Sequence, residues 1–195
     1  MSRFLIVLST VVALSGCVAG QTLNYDYTPT AAIEKASGEV SVVVRDERTY
    51  VKDGNKSAGY VGHYRAGWGN TWDVTTKGGT AFADIFARDL REEIEALGFT
   101  AGTAGRTLQV DIKEWNMDTY VNARFWYELI VAVVGPGGEA LLAPQTLKED
   151  KRIDGSIWVG PKYAVEKQMP QLYDQVVQAI VRGNAEVLNA LRTGP

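Results

Sequence analysis

The sequence has little of what most enzymes and most nucleic-acid-binding proteins use. It contains one cysteine and one histidine in 195 residues, and 23 aspartates and glutamates outnumber its 20 lysines and arginines. One cysteine cannot form an intramolecular disulfide, so we expect the core alone to stabilise the fold. The slight acidic excess gives no positive field, and we expect no nucleic-acid partner.

Long apolar runs are also scarce. The apolar run near the N-terminus extends from Phe4 to Leu14, which is shorter than the roughly 18 residues of a membrane-spanning helix. Arg3 precedes this run, and small residues lead from it to Cys17. A positive start, a short apolar stretch and a small-residue cleavage site are typical of a secretory signal peptide, which we place at residues 1–16.

Leu14-Ser15-Gly16-Cys17 resembles the lipobox of bacterial lipoproteins. The resemblance implies that the Cys17 sulfur carries a diacylglycerol, a covalent membrane anchor, and that the new amino terminus is acylated. Val18 is not the aspartate that commonly retains such proteins in the inner membrane. The resemblance therefore implies the outer membrane, with the domain on its periplasmic face. The alternative is an ordinary signal peptide with a chance cysteine near the cut.

The rest of the chain is long enough for one domain of ordinary size. Residues 17–37 are weakly patterned and predict a lipidated N-terminus with a tether, followed by a single domain at 38–195. The β-branched run Val40–Val44 predicts a buried strand. Arg45-Asp46-Glu47-Arg48 follows, and we expect a self-paired strand end in water.

Residues 49–79 contain seven glycines interleaved with tyrosines and tryptophans. We expect a long loop here, with room for a hairpin. Loops of this length without structure of their own are uncommon and often functional.

After this loop the apolar residues follow a helical period from Phe82 to Leu97, with Gly98 as the cap. Strands are then predicted around Leu108–Ile112, at Phe125–Val134 and from Glu139 to about Ile153. We expect the charged run Lys148–Arg152 in the last of them to be solvated. A second helical pattern extends to the C-terminus, and its Pro170 should either begin the regular helix or kink it.

The order strand, helix, three strands, helix predicts an α+β domain. We expect a mixed, mostly antiparallel four-stranded sheet with two helices packed on one face. The first strand should pair in parallel with the second through a right-handed crossover. The three later strands should form an antiparallel meander.

Candidates for catalysis are few. His63 lies in the glycine-rich segment, and with a carboxylate such as Asp73 it could form the catalytic pair of a hydrolase. No His/Cys/Asp/Glu spacing typical of a metal site is present. We therefore expect neither a metal nor a cofactor and no enzymatic activity.

The tryptophans suggest a binding surface. By strand parity, Trp115 lies opposite the Leu108–Ile112 face, which predicts a partly apolar sheet face away from the helices. Either the aromatic loop covers this face, or the face binds a protein partner or lipid. The candidate surface residues are Trp68, Trp72, Trp115 and Trp126.

Several short motifs resemble the YajG-like lipoproteins and, more loosely, the auxiliary lipoproteins of ABC-type transport systems. They are the lipobox, the strand end Val44-Arg45-Asp46-Glu47-Arg48 and the helix end Leu97-Gly98-Phe99. The resemblance implies a location and an architecture. The sequence thus predicts a lipid-anchored, non-enzymatic module that binds an envelope protein. The alternative is an auxiliary component of a transport system that binds phospholipid or another apolar ligand.

Intact-mass analysis of the membrane-extracted protein tests the anchor. We expect a chain that begins at Cys17 and carries the mass of a diacylglycerol and a further acyl group. An unacylated terminus or an uncut leader would contradict the prediction.

Overall fold

The computed structural model describes residues 21–31, 36–65, 70–119, 123–153 and 164–192, and within these ranges the chain forms eight strands and four helices. The strands are β1 (Gln21–Leu23), β2 (Glu39–Asp46), β3 (Tyr60–Arg65), β4 (Thr71–Thr76), β5 (Thr100–Ala101), β6 (Arg106–Asp118), β7 (Arg124–Val134) and β8 (Ala140–Arg152). The helices are α1 (Thr49–Lys52), α2 (Phe82–Ala96), α3 (Met169–Val181) and α4 (Ala185–Arg192).

The strands form one mixed sheet that curls into a half-barrel. β6 lies at the centre of this sheet, where it pairs with β2, β3 and β7. β7 pairs antiparallel with β6 along one side, and β8 pairs with β7 in the same way. On the other side, β2 pairs in parallel with the first half of β6, and β3 meets its last residue, with His63 beside Asp118. β4 pairs with β3, and β1 pairs in parallel with β4.

The expected four-stranded, mostly antiparallel sheet with two helices is therefore wrong. The parallel pairing of β2 with β6 and the β6–β7–β8 meander are confirmed, as is helix α2 with a left-handed Gly98 after it. Two of the four strands that were not predicted, β3 and β4, lie in the glycine-rich segment, where they form a hairpin.

Gly62 explains why a strand in this segment contains glycine. A Cβ atom added there would lie 2.8 Å from Cβ of Met117 and 2.9 Å from the Met117 backbone nitrogen. Such distances are too short for any side chain, so β3 approaches β6 this closely because residue 62 has none. Glycine here marks close packing of two strands, where the sequence pattern suggested a loop.

The domain also begins earlier than residue 38. β1 pairs with β4, and Tyr25 and Tyr27 are buried in the core. The Tyr27 hydroxyl donates to the Glu93 carboxylate of α2, and Arg182, after α3, donates to the same carboxylate. Residues 21–31 are therefore part of the folded domain and not of a tether.

A second buried carboxylate supports the same segment. Asp89 of α2 accepts hydrogen bonds from the Tyr173 hydroxyl at 2.5 Å and from Arg88, and Arg88 also donates to the Tyr25 carbonyl at 3.2 Å. Burial raises the pKa of Asp89 despite these donors. Buried carboxylates thus connect the N-terminal segment with α2 and α3.

A bulge in β6 determines which tryptophan is in the core. The register of β6 against β7 shifts between Ile112 and Glu114, so the alternation of faces changes there. Trp115 consequently lies on the buried face together with Leu108, and it is fully buried. The expectation that Trp115 contributes to an apolar outer face is wrong, because strict alternation was assumed through a bulge.

The core is built from aromatic rings around Trp115. Its ring centroid lies 4.8 Å from that of Phe82, 5.0 Å from that of Phe125 and 5.9 Å from that of Tyr173. These rings join the sheet to α2 and α3, and the space between helices and sheet is filled with side chains.

The charged segment that follows β2 was predicted to lie in water, and one of its residues, Arg48, does not. Arg48 is fully buried, and its guanidinium donates to Asp46 at 2.6 and 2.8 Å and to the Tyr60 carbonyl at 2.5 Å. It also lies 5.3 Å from the centroid of the Phe82 ring. The self-pairing with Asp46 was expected, whereas the burial was not.

The C-terminal helical pattern forms two helices. Pro170 lies in the first turn of α3, directly after a π-helical turn at Ala164–Gln168, so the regular α-helix begins at this proline. The chain then breaks at Gly183, and the Asn184 side chain accepts from the Val187 amide to cap α4.

Replacing each of two tryptophans with alanine tests the altered parity of β6. Trp115→Ala should destabilise the domain by about 3–5 kcal/mol, because it removes the ring at the centre of the core. Trp126→Ala, on the opposite face of β7, should cost about 1 kcal/mol or less. Urea unfolding followed by circular dichroism measures both. Equal losses would contradict the placement of Trp115.

Candidate functional site: the free edge of the sheet

Strand β8 forms one edge of the sheet. Among the described residues it pairs with β7 alone, so the backbone on its other side has no strand partner there. A strand of 13 residues is about 43 Å long. Unpaired N–H and C=O groups of an edge strand are a template for another extended chain. β8 is therefore the feature of this fold best suited to receive one.

Charged side chains follow the second half of β8. Lys148, Glu149, Asp150, Lys151 and Arg152 are all exposed, as the sequence predicts for a solvated run. Arg124 of β7 donates two hydrogen bonds to Asp150, and this guanidinium lowers the pKa of the Asp150 carboxyl. Exposed charges of both signs discourage indiscriminate pairing at an edge and leave it open to a complementary sequence.

A cleft of about 550 Å³ lies between β8 and the turn that joins α3 to α4. Gln145 crosses it: the Asn184 side-chain amide donates to Gln145 Oε1 at 3.1 Å, and the Gln145 amide donates to Glu186. Leu147 and Tyr127 add apolar surface to its wall. The cleft therefore offers amide and carboxylate groups beside an apolar strip, next to the free backbone of β8.

Sequence reasoning missed this cleft, although one part of it could have been found. Gly183-Asn184-Ala185 is the combination of helix stop and N-cap that separates two helices, and it was included in one continuous pattern. The contact of Asn184 with Gln145 joins residues that are far apart in the chain, so no local sequence pattern predicts it.

His63 lies in a hydrogen-bonded cluster at the β3 end of the sheet. Its Nε2 is 3.2 Å from the Asp118 carboxylate, and its Nδ1 is 3.1 Å from the Tyr60 hydroxyl. The Tyr60 hydroxyl donates to the Asn116 side chain at 3.0 Å, and burial raises the pKa of Tyr60. Both ring nitrogens of His63 are thus engaged by protein groups.

Asp73 is not the hydrogen-bonding partner of His63, although the two residues are cross-strand neighbours. The Asp73 carboxylate instead accepts from Lys56 at 2.6 Å. The hydrolase arrangement of His63 with Asp73 is therefore not formed. The cluster joins the β3–β4 hairpin to β6, and this contact is what its geometry provides.

The candidate surface residues that the structure describes do not share one surface. Cys17 and Trp68 lie outside the described residues. Trp115 is in the core, Trp72 is half-buried in β4, and Trp126 is half-buried on the outer face of β7. Arg124 lies over the Trp126 ring, 5.6 Å from its centroid, beside a shallow groove of about 390 Å³.

Within the described part of the chain, no group of three or more histidine, cysteine, aspartate or glutamate side chains is arranged to hold a metal ion. None of the helices in that part is both long and apolar enough to cross a membrane.

The chain matches no known protein-family model, and no curated protein is similar to it in sequence at a significant level. Solved structures do resemble its fold. Protein XCC0632 from Xanthomonas campestris, of the DUF330 family, is 12% identical with a TM-score of 0.60, and the match covers 84% of this chain and 96% of that one. At this identity the likeness shows a shared fold alone.

Two other solved structures resemble the chain more weakly. The PelC dodecamer from Paraburkholderia phytofirmans is 12% identical with a TM-score of 0.39, and the match covers 86% of this chain and 95% of that one. Lipoprotein GNA1162 from Neisseria meningitidis is 13% identical with a TM-score of 0.27, and the match covers 73% of this chain and 99% of that one.

A double-mutant cycle tests the structural role of His63. His63→Ala and Asp118→Ala should be coupled by about 1 kcal/mol in the free energy of unfolding, because each removes the same contact. His63→Ala combined with Glu95→Ala on the exposed side of α2 should be additive. A coupling of zero between His63 and Asp118 would contradict the contact.

Proposed function

We propose that this protein is a lipid-anchored component of the bacterial cell envelope whose domain binds a protein partner without catalysing a reaction. The observation that carries the proposal is the free edge of β8 with the cleft beside it. The anchor is Cys17, and the proposed location is the outer membrane, on its periplasmic face. Both follow from the resemblance of the leader to that of lipoproteins, since Cys17 lies outside the described residues.

The proposed binding mode is strand addition. An extended segment of the partner pairs with the outer side of β8, and backbone hydrogen bonds provide much of the affinity. Alternate side chains of that segment enter the cleft beside Gln145 and Leu147, while those between them meet the charges of Lys148 and Asp150. The domain would then select a partner segment in which an apolar or amide side chain is followed by a charged one.

The His63 cluster supports a binding role over a catalytic one. A general base must reach a substrate proton with a free nitrogen. Tyr60 and Asp118 occupy both nitrogens of His63, and Asp73 is paired with Lys56. The histidine is thus used to hold the hairpin in place.

Packing of the core favours a protein partner over an apolar ligand such as phospholipid. An acyl chain needs an apolar cavity that excludes water. In the described part of the domain, rings around Trp115 fill the space between sheet and helices. The cleft beside β8 is open to solvent and partly polar. The transport-auxiliary alternative therefore has less physical support in this domain.

Site-specific photo-crosslinking in living cells tests the proposal. A benzophenone side chain at Thr146, exposed on β8, should yield one adduct that mass spectrometry identifies as a peptide of a single envelope protein. The same group at Arg91, exposed on α2, is the matched control and should yield none. A phospholipid adduct at Thr146 would favour the alternative function.

Proline variants then show whether the β8 backbone makes the contact. In a regular antiparallel edge strand, N–H groups point alternately toward the neighbour and away from it. Lys148→Pro and Glu149→Pro therefore remove one N–H of each kind. The variant that removes the outward N–H breaks no bond to β7, so its melting temperature should be nearly unchanged. In this variant the Thr146 adduct should disappear. An adduct that survives in this variant would contradict strand addition.

A further inference from the structure

The folded part of the chain begins close to the proposed anchor. Gln21 is the first residue of β1 and lies beside Val74 in parallel register, and Leu23 lies beside Thr76. Leu23 and Tyr25 are both buried. Strand pairing and burial in the core therefore fix the position of the chain from Gln21 to Tyr25.

Covalent geometry limits how far this segment lies from the lipid. Gln21 is four positions after Cys17, and an extended chain spans at most about 3.6 Å per residue, so their Cα atoms are within about 14 Å of each other. This distance is less than half of the roughly 30 Å hydrocarbon thickness of a bilayer. With its acyl chains inserted, Cys17 brings β1 against the headgroups.

The register shows which end of the sheet is brought there. β1 is parallel to β4, so a chain entering β1 comes from the side on which β4 begins, at Thr71. Cross-strand partners near this end of β4 form one row across the sheet. In this row Asp73 is beside His63, His63 is beside Asp118, Asp118 is beside Arg124, and Arg124 is beside Arg152. We call the described side chains in this row, together with Tyr64, Arg65, Thr71 and Trp72 beyond it, the hairpin end.

Side chains at the hairpin end suit a bilayer surface. Tyr64 and Trp72 are half-buried cross-strand neighbours, and aromatic residues of this type favour the headgroup region. Charge at this end is also opposite to that of the whole protein, which is −3. Among the described residues of this end, three basic residues stand against two acidic ones, and they are Arg65, Arg124 and Arg152 against Asp73 and Asp118. A net positive end is attracted to anionic phospholipid.

We infer that the hairpin end of the sheet rests on the phospholipid headgroups, with Trp72 and Arg65 facing the bilayer. This inference rests on the lipid anchor proposed above and adds an orientation to it. The opposite end, with the β7–β8 turn, then lies away from the membrane. β6 alone extends about 43 Å between the two ends.

Single-thiol labelling tests the orientation. Cys17 is the one cysteine of the sequence, and lipidation converts its sulfur to a thioether, so an introduced cysteine is the sole reactive thiol. Thr71→Cys places it at the hairpin end, and Ala140→Cys places it at the opposite end; both side chains are exposed. Unchanged circular dichroism and melting temperature check that both variants fold.

Each lipidated full-length variant is labelled with an environment-sensitive fluorophore and reconstituted in phosphatidylethanolamine–phosphatidylglycerol vesicles containing a headgroup-level spin-labelled lipid. We expect quenching of the Thr71 probe to be several-fold stronger than that of the Ala140 probe. Equal quenching, stronger quenching at Ala140, or quenching at neither position would overturn the orientation while the anchor stands. An unacylated Cys17 by intact mass would overturn both the anchor and the orientation.

Discussion

The bulge in β6 is the constraint on which the rest of the structure depends. A strand that kept strict alternation past Ile112 would place Trp115 in solvent and Glu114 in the core. The extra residue changes the faces, so the buried side of β6 holds Trp115 and Met117 and the outer side holds Glu114 and Asn116. The ring cluster and the hydrogen bonds of Tyr60 both follow from this one irregularity.

Buried charges give the domain its particular arrangement of elements. Arg48, Asp89 and Glu93 are fully buried, and each is hydrogen-bonded to groups from another part of the chain. A buried ion pair adds little stability beyond an apolar pair of similar size, because desolvation offsets the attraction. Removing one partner is costly, however, since the remaining charge is left uncompensated. These groups therefore fix where the N-terminal segment and the β3–β4 hairpin dock more than they increase total stability.

Sequence patterns predicted the elements whose residues follow a regular period. The apolar stripe of α2, the β-branched run of β2 and the turn after Val134 are local features, and the structure has each of them. The patterns failed where a residue serves a distant contact. Gly62 is glycine because β6 passes close by, and Tyr25 is buried by helices from later in the chain. The solvated charges of β8 were recognised, whereas the cleft needed Gln145 and Asn184 to meet across 39 residues.

The proposed anchor and the proposed binding edge make sense together in energetic terms. A charged edge strand such as β8 binds an extended segment weakly, since it offers backbone hydrogen bonds and few apolar contacts. Anchoring two partners on one membrane raises their effective concentration without any new contact, so a weak edge is sufficient between neighbours and insufficient for proteins in free solution. Arg152 lies in the row nearest the proposed bilayer contact, and Ala140 lies at the far end of the same strand. An added strand would therefore run from the headgroups toward the far end of the sheet, where a segment of a membrane-bound partner can reach it.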